Sequence, residues 1–435
     1  MSPGGGTVRP DPSRVGSDEQ RVGPDERHVG PDEKRVGPDV LVVSNGHGED
    51  AIGAALVRRL RTVMPDLAVR AFPLVGEGSA YDAGIVVGPR MSLPAGGLTL
   101  HHPSLLLRDL RAGIIGLTVR QAIFLRGCRP RAVLVVGDAY AQLLACLVRA
   151  PRAVLQPLVS VEQERPFDPG RLNRYFMESI RAPERFLLSR AQRVYTRDAA
   201  TAQALRDRGV LSATYLGNPI MDGLVSEPLL GGEEREGRVV VALLPGSRGY
   251  ADDSVRLMLD ALLTAQRHVE EGAIITGLVA WTRGESPALP SGWRRSESLP
   301  ATQGAGRVLD EWTNQRVRVW WVQNGFASVL AAADVVIGTA GTANEQAAGL
   351  GLPVVSFPVP PSYGRAFLEN QARLLGGALR VVDPRPEDVA SALAGALTPG
   401  SHRQAAATVG PARLGEPGGT DAIASDLQAW LGDLS

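Results

Sequence analysis

From Val40 onward, short apolar runs alternate with amphipathic stretches, and few folds are compatible with that pattern. The runs are 40–44, 69–75, 131–137, 153–161, 193–197 and 214–217. They are β-branched and apolar throughout, as expected for parallel strands buried on both faces. A polar break, "SEPLLGGEEREGR" at 226–238, interrupts the series. The alternation then restarts with runs at 239–247, 273–280, 316–322, 334–338, 353–358 and 379–382. The expected fold class is α/β, with two doubly wound Rossmann-like domains facing each other across a cleft. The division read from the sequence is a tail at 1–38, a first α/β domain at 39–225 and a linker at 226–238. A second α/β domain follows at 239–400, then a C-terminal helical segment at 401–435. Residues 281–312 read as a loop or insertion.

The tail repeats with a seven-residue period from Arg14 to Val40, "RVGSDEQ RVGPDER HVGPDEK RVGPDV". Each repeat has one aliphatic residue beside Gly and, in most, Pro, too little apolar surface to fold, so disorder is expected. The 435 residues carry zero formal net charge, which points away from a nucleic-acid partner. Two cysteines, Cys128 and Cys146, make no disulfide framework, and no Cys/His spacing suggests zinc. The N-terminus lacks the apolar core of a signal peptide and no apolar run reaches membrane-spanning length, so a cytoplasmic location is expected, peripheral at a membrane surface at most.

Four segments carry candidate chemistry. In "VVSNGHGEDAIGAAL", a strand ends and Asn45, Gly46, His47, Gly48 and Glu49 lead into a helix. Glycines there allow close backbone approach and the helix start favours an anion; a ligand-free tight turn is the plainer alternative. The spacing is not that of a dinucleotide site, since the next glycine is Gly53. In "VVGDAYAQLLA", Asp138 follows a buried strand and reads equally as a general base or a helix N-cap. "LLPGSRGYADDSV" presents Gly246, Ser247 and Arg248 in a turn suited to a phosphate, or else a plain surface turn. "GTAGTANEQ" places Gly341, Thr342 and Ala343 at a helix start, with Glu345 expected in its first turn. There it would serve either the helix dipole or a sugar diol.

In this order, "VGDAY" (136–140), "YLGNPIMDGL" (215–224), "VALLPGSR" (241–248) and "GTANEQ" (341–346) resemble segments of lipid-A-disaccharide synthase and a related group within the GT-B glycosyltransferases. The resemblance runs from about Val40 to the C-terminus. It implies a UDP-sugar as donor substrate, bound by the second domain. Glu345 would hold the ribose hydroxyls and Gly341, Thr342 and Ala343 would meet the diphosphate. Gly246, Ser247 and Arg248 would lie nearby, and Asn370 and Gln371 in "RAFLENQARLL" would reach the diphosphate or sugar. The first domain would hold the acceptor, with Asn45, Gly46, Gly48 and Glu49 on that side and Asp138 or His47 as base. One departure stands out: the synthase has Gly-Glu-x-Ser-Gly-Asp where this chain has "NGHGED". The expected reaction is an inverting sugar transfer. The folded part has no Asp-x-Asp, so neither a metal nor a cofactor beyond the donor is expected. A sugar-nucleotide epimerase would need several acids around the sugar, and only Asp138 is clearly placed in the sequence. A non-catalytic nucleotide-sugar-binding protein is the third reading. The 101–131 segment mixes apolar clusters with arginines. It reads either as a helix packed on the sheet or as a surface for an anionic lipid, the lipid-linked acceptor being what the family adds.

Overall fold

The computed structural model describes residues 37–91, 114–164, 180–247, 249–360 and 363–434. The repeat tail expected to be disordered lies, up to residue 36, outside the described residues. The first domain contains β1 Val40–Ser44, β2 Val69–Pro73, β3 Ala132–Val136, β4 Arg152–Gln156, β5 Arg193–Thr196 and β6 Ala213–Thr214. They form one parallel sheet in the order β2-β1-β3-β4-β5-β6. Every residue of β1 and β3 is buried, which is why these strands read as unbroken apolar runs.

The second domain contains β7 Arg238–Leu244, β8 Ile274–Trp281, β9 Arg294–Arg295, β10 Arg307–Asn314 and β11 Val317–Gln323. It continues with β12 Val335–Gly338, β13 Val354–Ser356 and β14 Leu379–Val381. The sheet order is β14-β13-β12-β7-β8-β11-β10-β9, with β10 antiparallel to both neighbours. The 281–312 segment is therefore not the structureless loop expected. The two-residue β9 and most of the eight-residue β10 fall in it, held by an aromatic cluster. Trp321 of β11 packs edge-on to Trp281 at 4.9 Å and against Trp312 at 4.6 Å between ring centroids. The linker is also less free than its polar composition suggests. Leu229 and Leu230 are fully buried, and the Leu229 amide donates to the Ser328 carbonyl at 3.0 Å.

The order of each sheet reverses at one place. In the first, β2 lies on one side of β1 and β3 on the other; in the second, β8 and β12 flank β7. Such switch points open a crevice beyond the carboxyl ends of the strands. The segments after β1 and β3, and those after β7 and β12, are the four singled out from the sequence. The C-terminal helices tie the two domains together. Helix Ser401–Leu414 packs on helix Gly341–Gly349 of the second domain, and helix Gly419–Asp433 packs on helix His47–Val63 of the first. Asp426 accepts from Tyr195 Oη at 2.6 Å and from Arg193 Nε at 3.1 Å, fixing the last helix beside β5.

Of the 101–131 segment, residues up to 113 lie outside the described residues, and helix Ile114–Gly127 follows. Leu117, Gln121 and Leu125 are buried against the domain, while Ile115, Val119 and Ile123 are exposed on the opposite face. Among the described residues no helix is long and apolar enough to cross a membrane.

Candidate functional site

At the first switch point, β1 ends at Ser44 and Gly46 takes φ 113°, a conformation open to glycine, before helix His47–Val63 begins. Glu49 and Asp50 fall in its first turn, where the helix dipole favours acids. Asp50 accepts from Ser44 Oγ at 2.6 Å, and Tyr81 Oη donates to Ser44 Oγ at 3.0 Å, so Asp50 is built into the domain. Gly48 faces open space: a Cβ there would meet nothing within 4 Å. His47 is the first helical residue, and its side chain lies outside what the structure describes.

Asp138 caps helix Ala139–Ala145. Its Oδ1 accepts from the amides of Tyr140 at 3.0 Å and Ala141 at 3.4 Å, and from Asn45 Nδ2 at 3.0 Å. All three bonds go to one oxygen, so among the described residues the N-cap role leaves the second oxygen without a partner. Asn45 thereby links the two segments of this switch point.

The structure adds an acid the sequence reading missed. Glu184, in helix Ala182–Leu188, is buried, and its Oε1 accepts from Gln156 Nε2 at 2.6 Å and Gln142 Nε2 at 3.4 Å. Burial, then the Asp138 charge, push the Glu184 carboxyl up to about 7, although the two glutamine bonds pull it down. Burial raises Glu49 to about 8, against the pull of a backbone hydrogen bond; the charges of Asp138 and Asp50 add to the rise. Glu49 and Glu184, both raised, therefore each feel the Asp138 charge in the region beyond β1, β3 and β4. Glu184 carried no motif. Its only sequence signal is an acid after a proline in an otherwise ordinary helix start.

At the second switch point, Gly246 has φ 80° and Ser247 is exposed, while Arg248 lies outside the described residues. Thr339 after β12 locks the turn: its amide donates to the Leu244 carbonyl at 2.9 Å and its hydroxyl to the Pro245 carbonyl at 3.3 Å. Helix Gly341–Gly349 then begins without a side-chain cap, so Gly341, Thr342 and Ala343 offer a half-buried first turn to an anion. Glu345 is the fifth residue of this helix, one residue further in than expected and just past the first turn, which holds no acid. Service to the helix dipole thus does not explain it. Glu345 Oε2 instead accepts from Arg197 Nη2 of the first domain at 2.9 Å, with the arginine fully buried.

Asn370 and Gln371 were expected to reach a ligand. Gln371 spends both ends inside the domain, donating to the Gly341 carbonyl at 2.8 Å and accepting from Asn344 Nδ2 at 3.2 Å and Tyr363 Oη at 3.1 Å. It shapes the start of the helix. Asn370 accepts from Arg373, whose Nε crosses to the Gln163 carbonyl of the first domain.

The buried Asn344 also donates to the Gly338 carbonyl at 3.2 Å, and a Cβ at Gly338 would sit 1.9 Å from its Oδ1. Gly338→Ala is expected to displace Asn344 and lower stability by about 2–4 kcal/mol in urea unfolding. A change within about 0.5 kcal/mol would mean that the network yields at no cost.

No protein-family model and no curated protein matches the sequence. Solved structures do. CalG4, the calicheamicin glycosyltransferase, matches with a TM-score of 0.57 at 13% identity, covering 92% of this chain and 100% of that one. MnaA of S. aureus, solved with UDP, matches with a TM-score of 0.53 at 12% identity over 90% and 96%. MurG of Acinetobacter baumannii matches with a TM-score of 0.52 at 13% identity over 90% and 100%. At these identities the likeness establishes the fold: two Rossmann-like domains in the GT-B arrangement.

Proposed function

We propose that the protein is a UDP-sugar-dependent glycosyltransferase that transfers with inversion, similar in kind to lipid-A-disaccharide synthase. The observation that carries this reading is a contact between the carboxyl ends of the two sheets. Arg197, at the carboxyl end of β5, reaches Glu345 in the helix after β12, so the carboxyl edges of both sheets face one cleft. On the second domain's side, the uncapped helix start, Gly246, Ser247 and Arg248 hold the diphosphate and Glu345 the ribose diol. On the first domain's side, Asn45, Gly46, Gly48 and Glu49 line the acceptor.

Asp138 takes the proton of an acceptor hydroxyl. The freed oxygen attacks the anomeric carbon, the bond to the diphosphate breaks, and UDP leaves with the electron pair. The helix start and Arg248 meet its charge. His47 is the second candidate base. A lipid-linked acceptor at a membrane surface is part of the proposal, supported by the exposed Ile115, Val119 and Ile123 beside Arg120 and Arg126.

Calorimetric titration of UDP, UDP-N-acetylglucosamine and NAD tests the donor site. Uridine nucleotides are expected to bind, NAD is not, and Glu345→Ala is expected to weaken binding at least about 30-fold, since hydrogen bonds to a charged group contribute roughly 1.5–3 kcal/mol each. Glu345→Gln keeps an oxygen for Arg197 and separates lost binding from lost folding. Binding unaffected by either change would overturn the assignment. UDP binding without turnover would leave a binding protein.

A second reading has one observation in its favour. An epimerase needs several acids around the sugar, and Glu49 and Glu184 join Asp138 in the cleft. Interconversion of a UDP-sugar without an acceptor would favour it.

A further inference from the structure

Arg197 is the most deeply buried charged residue that the proposed chemistry leaves without a role. It follows Thr196 at the end of β5, and none of its surface reaches solvent. A guanidinium placed for architecture ordinarily ties up several backbone carbonyls, as Arg316 does with those of Gln266, Glu270 and Ala273. Arg197 does not. Its Nη2 donates to Glu345 Oε2 at 2.9 Å, while Nε and Nη1 have no hydrogen-bond partner among the described residues. Taking a charge out of water is costly, and a fork that makes one bond of its possible five recovers little of that cost. The residue is thus poorly explained by stability, and its single polar contact is the carboxylate proposed to read the nucleotide.

The contact also crosses between domains. Glu345 belongs to the second domain and Arg197 to the first, 148 residues apart in sequence. Among the described residues only one carboxylate oxygen is engaged, and the Glu345 side chain keeps 11% of its surface. Two neighbouring crossings, Arg373 to the Gln163 carbonyl and Arg413 to Glu162, hold the seam on the same side.

We propose that Arg197 is a positioning residue for Glu345: it fixes the orientation of the carboxylate and supplies its counter-charge across the domain seam. The grip on a vicinal ribose diol is then assembled by both domains and not by the second alone. This rests on Glu345 reading the ribose, as proposed above. Losing Arg197 frees the carboxylate to swing, and the contribution it loses is the one that distinguishes a ribose from a deoxyribose.

The test compares UDP with 2′-deoxy-UDP by calorimetry on the full chain. The wild type is expected to prefer UDP by about tenfold or more, the worth of one hydrogen bond to a charged group. In Arg197→Met that preference is expected to fall to about threefold or less, chiefly through weaker UDP binding. Arg197→Lys keeps the charge without the planar fork and should lie between; it also serves if the Met variant does not fold. Equal weakening of both nucleotides, with the preference retained, would overturn the proposal and leave Arg197 a structural residue. A wild type that shows no preference would instead sink the ribose reading of Glu345, and the positioning role with it.

Discussion

Asp138→Asn is expected to lower sugar turnover by roughly 10²–10⁴-fold, the usual worth of a general base, while UDP binding stays within about twofold of the wild type. The substitution is unusually clean because of how Asp138 is held. Among the described residues its hydrogen bonds all go to Oδ1, from two helix amides and from Asn45. Asn caps helices about as well as Asp, so its carbonyl oxygen can take over those bonds. The change falls on the second oxygen, where the acceptor's proton would go. The segments proposed to hold the nucleotide lie on the other domain, which is why binding should survive. A second consequence follows from the electrostatics: the Asp138 charge helps to raise both Glu49 and Glu184, so both should titrate lower in the variant. Turnover kept by Asp138→Asn but lost by Glu184→Gln would transfer the base role to Glu184. Turnover kept by both would reduce Asp138 to a helix cap.

The contrast between Asp138 and Glu184 shows what a sequence of this kind discloses. Strand positions were legible because parallel strands covered on both faces must be apolar along their whole length, and β1, β3 and β12 are buried throughout. Asp138, Glu49 and the Gly341 turn were legible because they stand directly after such strands, where an α/β sheet opens its crevice. Glu184 and Arg197 stand out only through tertiary contacts. Glu184 owes its environment to Gln142 and Gln156 on other elements, and Arg197 owes its partner to the opposite domain. No local period or turn signal encodes either meeting. β9 and β10 escaped notice for another reason: Trp312 of β10 packs on Trp293, just before β9, and on Trp321 of β11, and alternation is hidden where an antiparallel edge carries charged residues such as Arg294, Arg295 and Arg307. Gln371 shows the opposite ambiguity, since a polar residue in a helix near the site is equally suited to building the site's wall.

The pH dependence of stability tests the first-domain cluster without any substrate. In the unfolded chain Glu49 and Glu184 would titrate near 4.5; in the native protein they are raised to about 8 and about 7. Between those values the native state holds protons that the unfolded state has released, so stability falls as pH rises and levels off above about 8. This is the reverse of the behaviour of a salt-bridged carboxylate. The cause is burial: each group is comfortable neutral and must be charged in place as the solution turns alkaline. Glu49→Gln removes its share of the effect, because an amide does not titrate. Relative to wild type, the variant should gain about 3–5 kcal/mol between pH 4.5 and pH 8.5, at about 1.4 kcal/mol per pH unit over the shift. Urea midpoints of both proteins at the two pH values supply the comparison, and titrations common to both cancel in the difference. A difference that does not change with pH would mean that Glu49 is already ionised in the native protein. The cleft would then carry full negative charge beside Asp138, a poor environment for an acceptor bearing a phosphate and a better one for an acceptor rich in hydroxyls or carrying an amine.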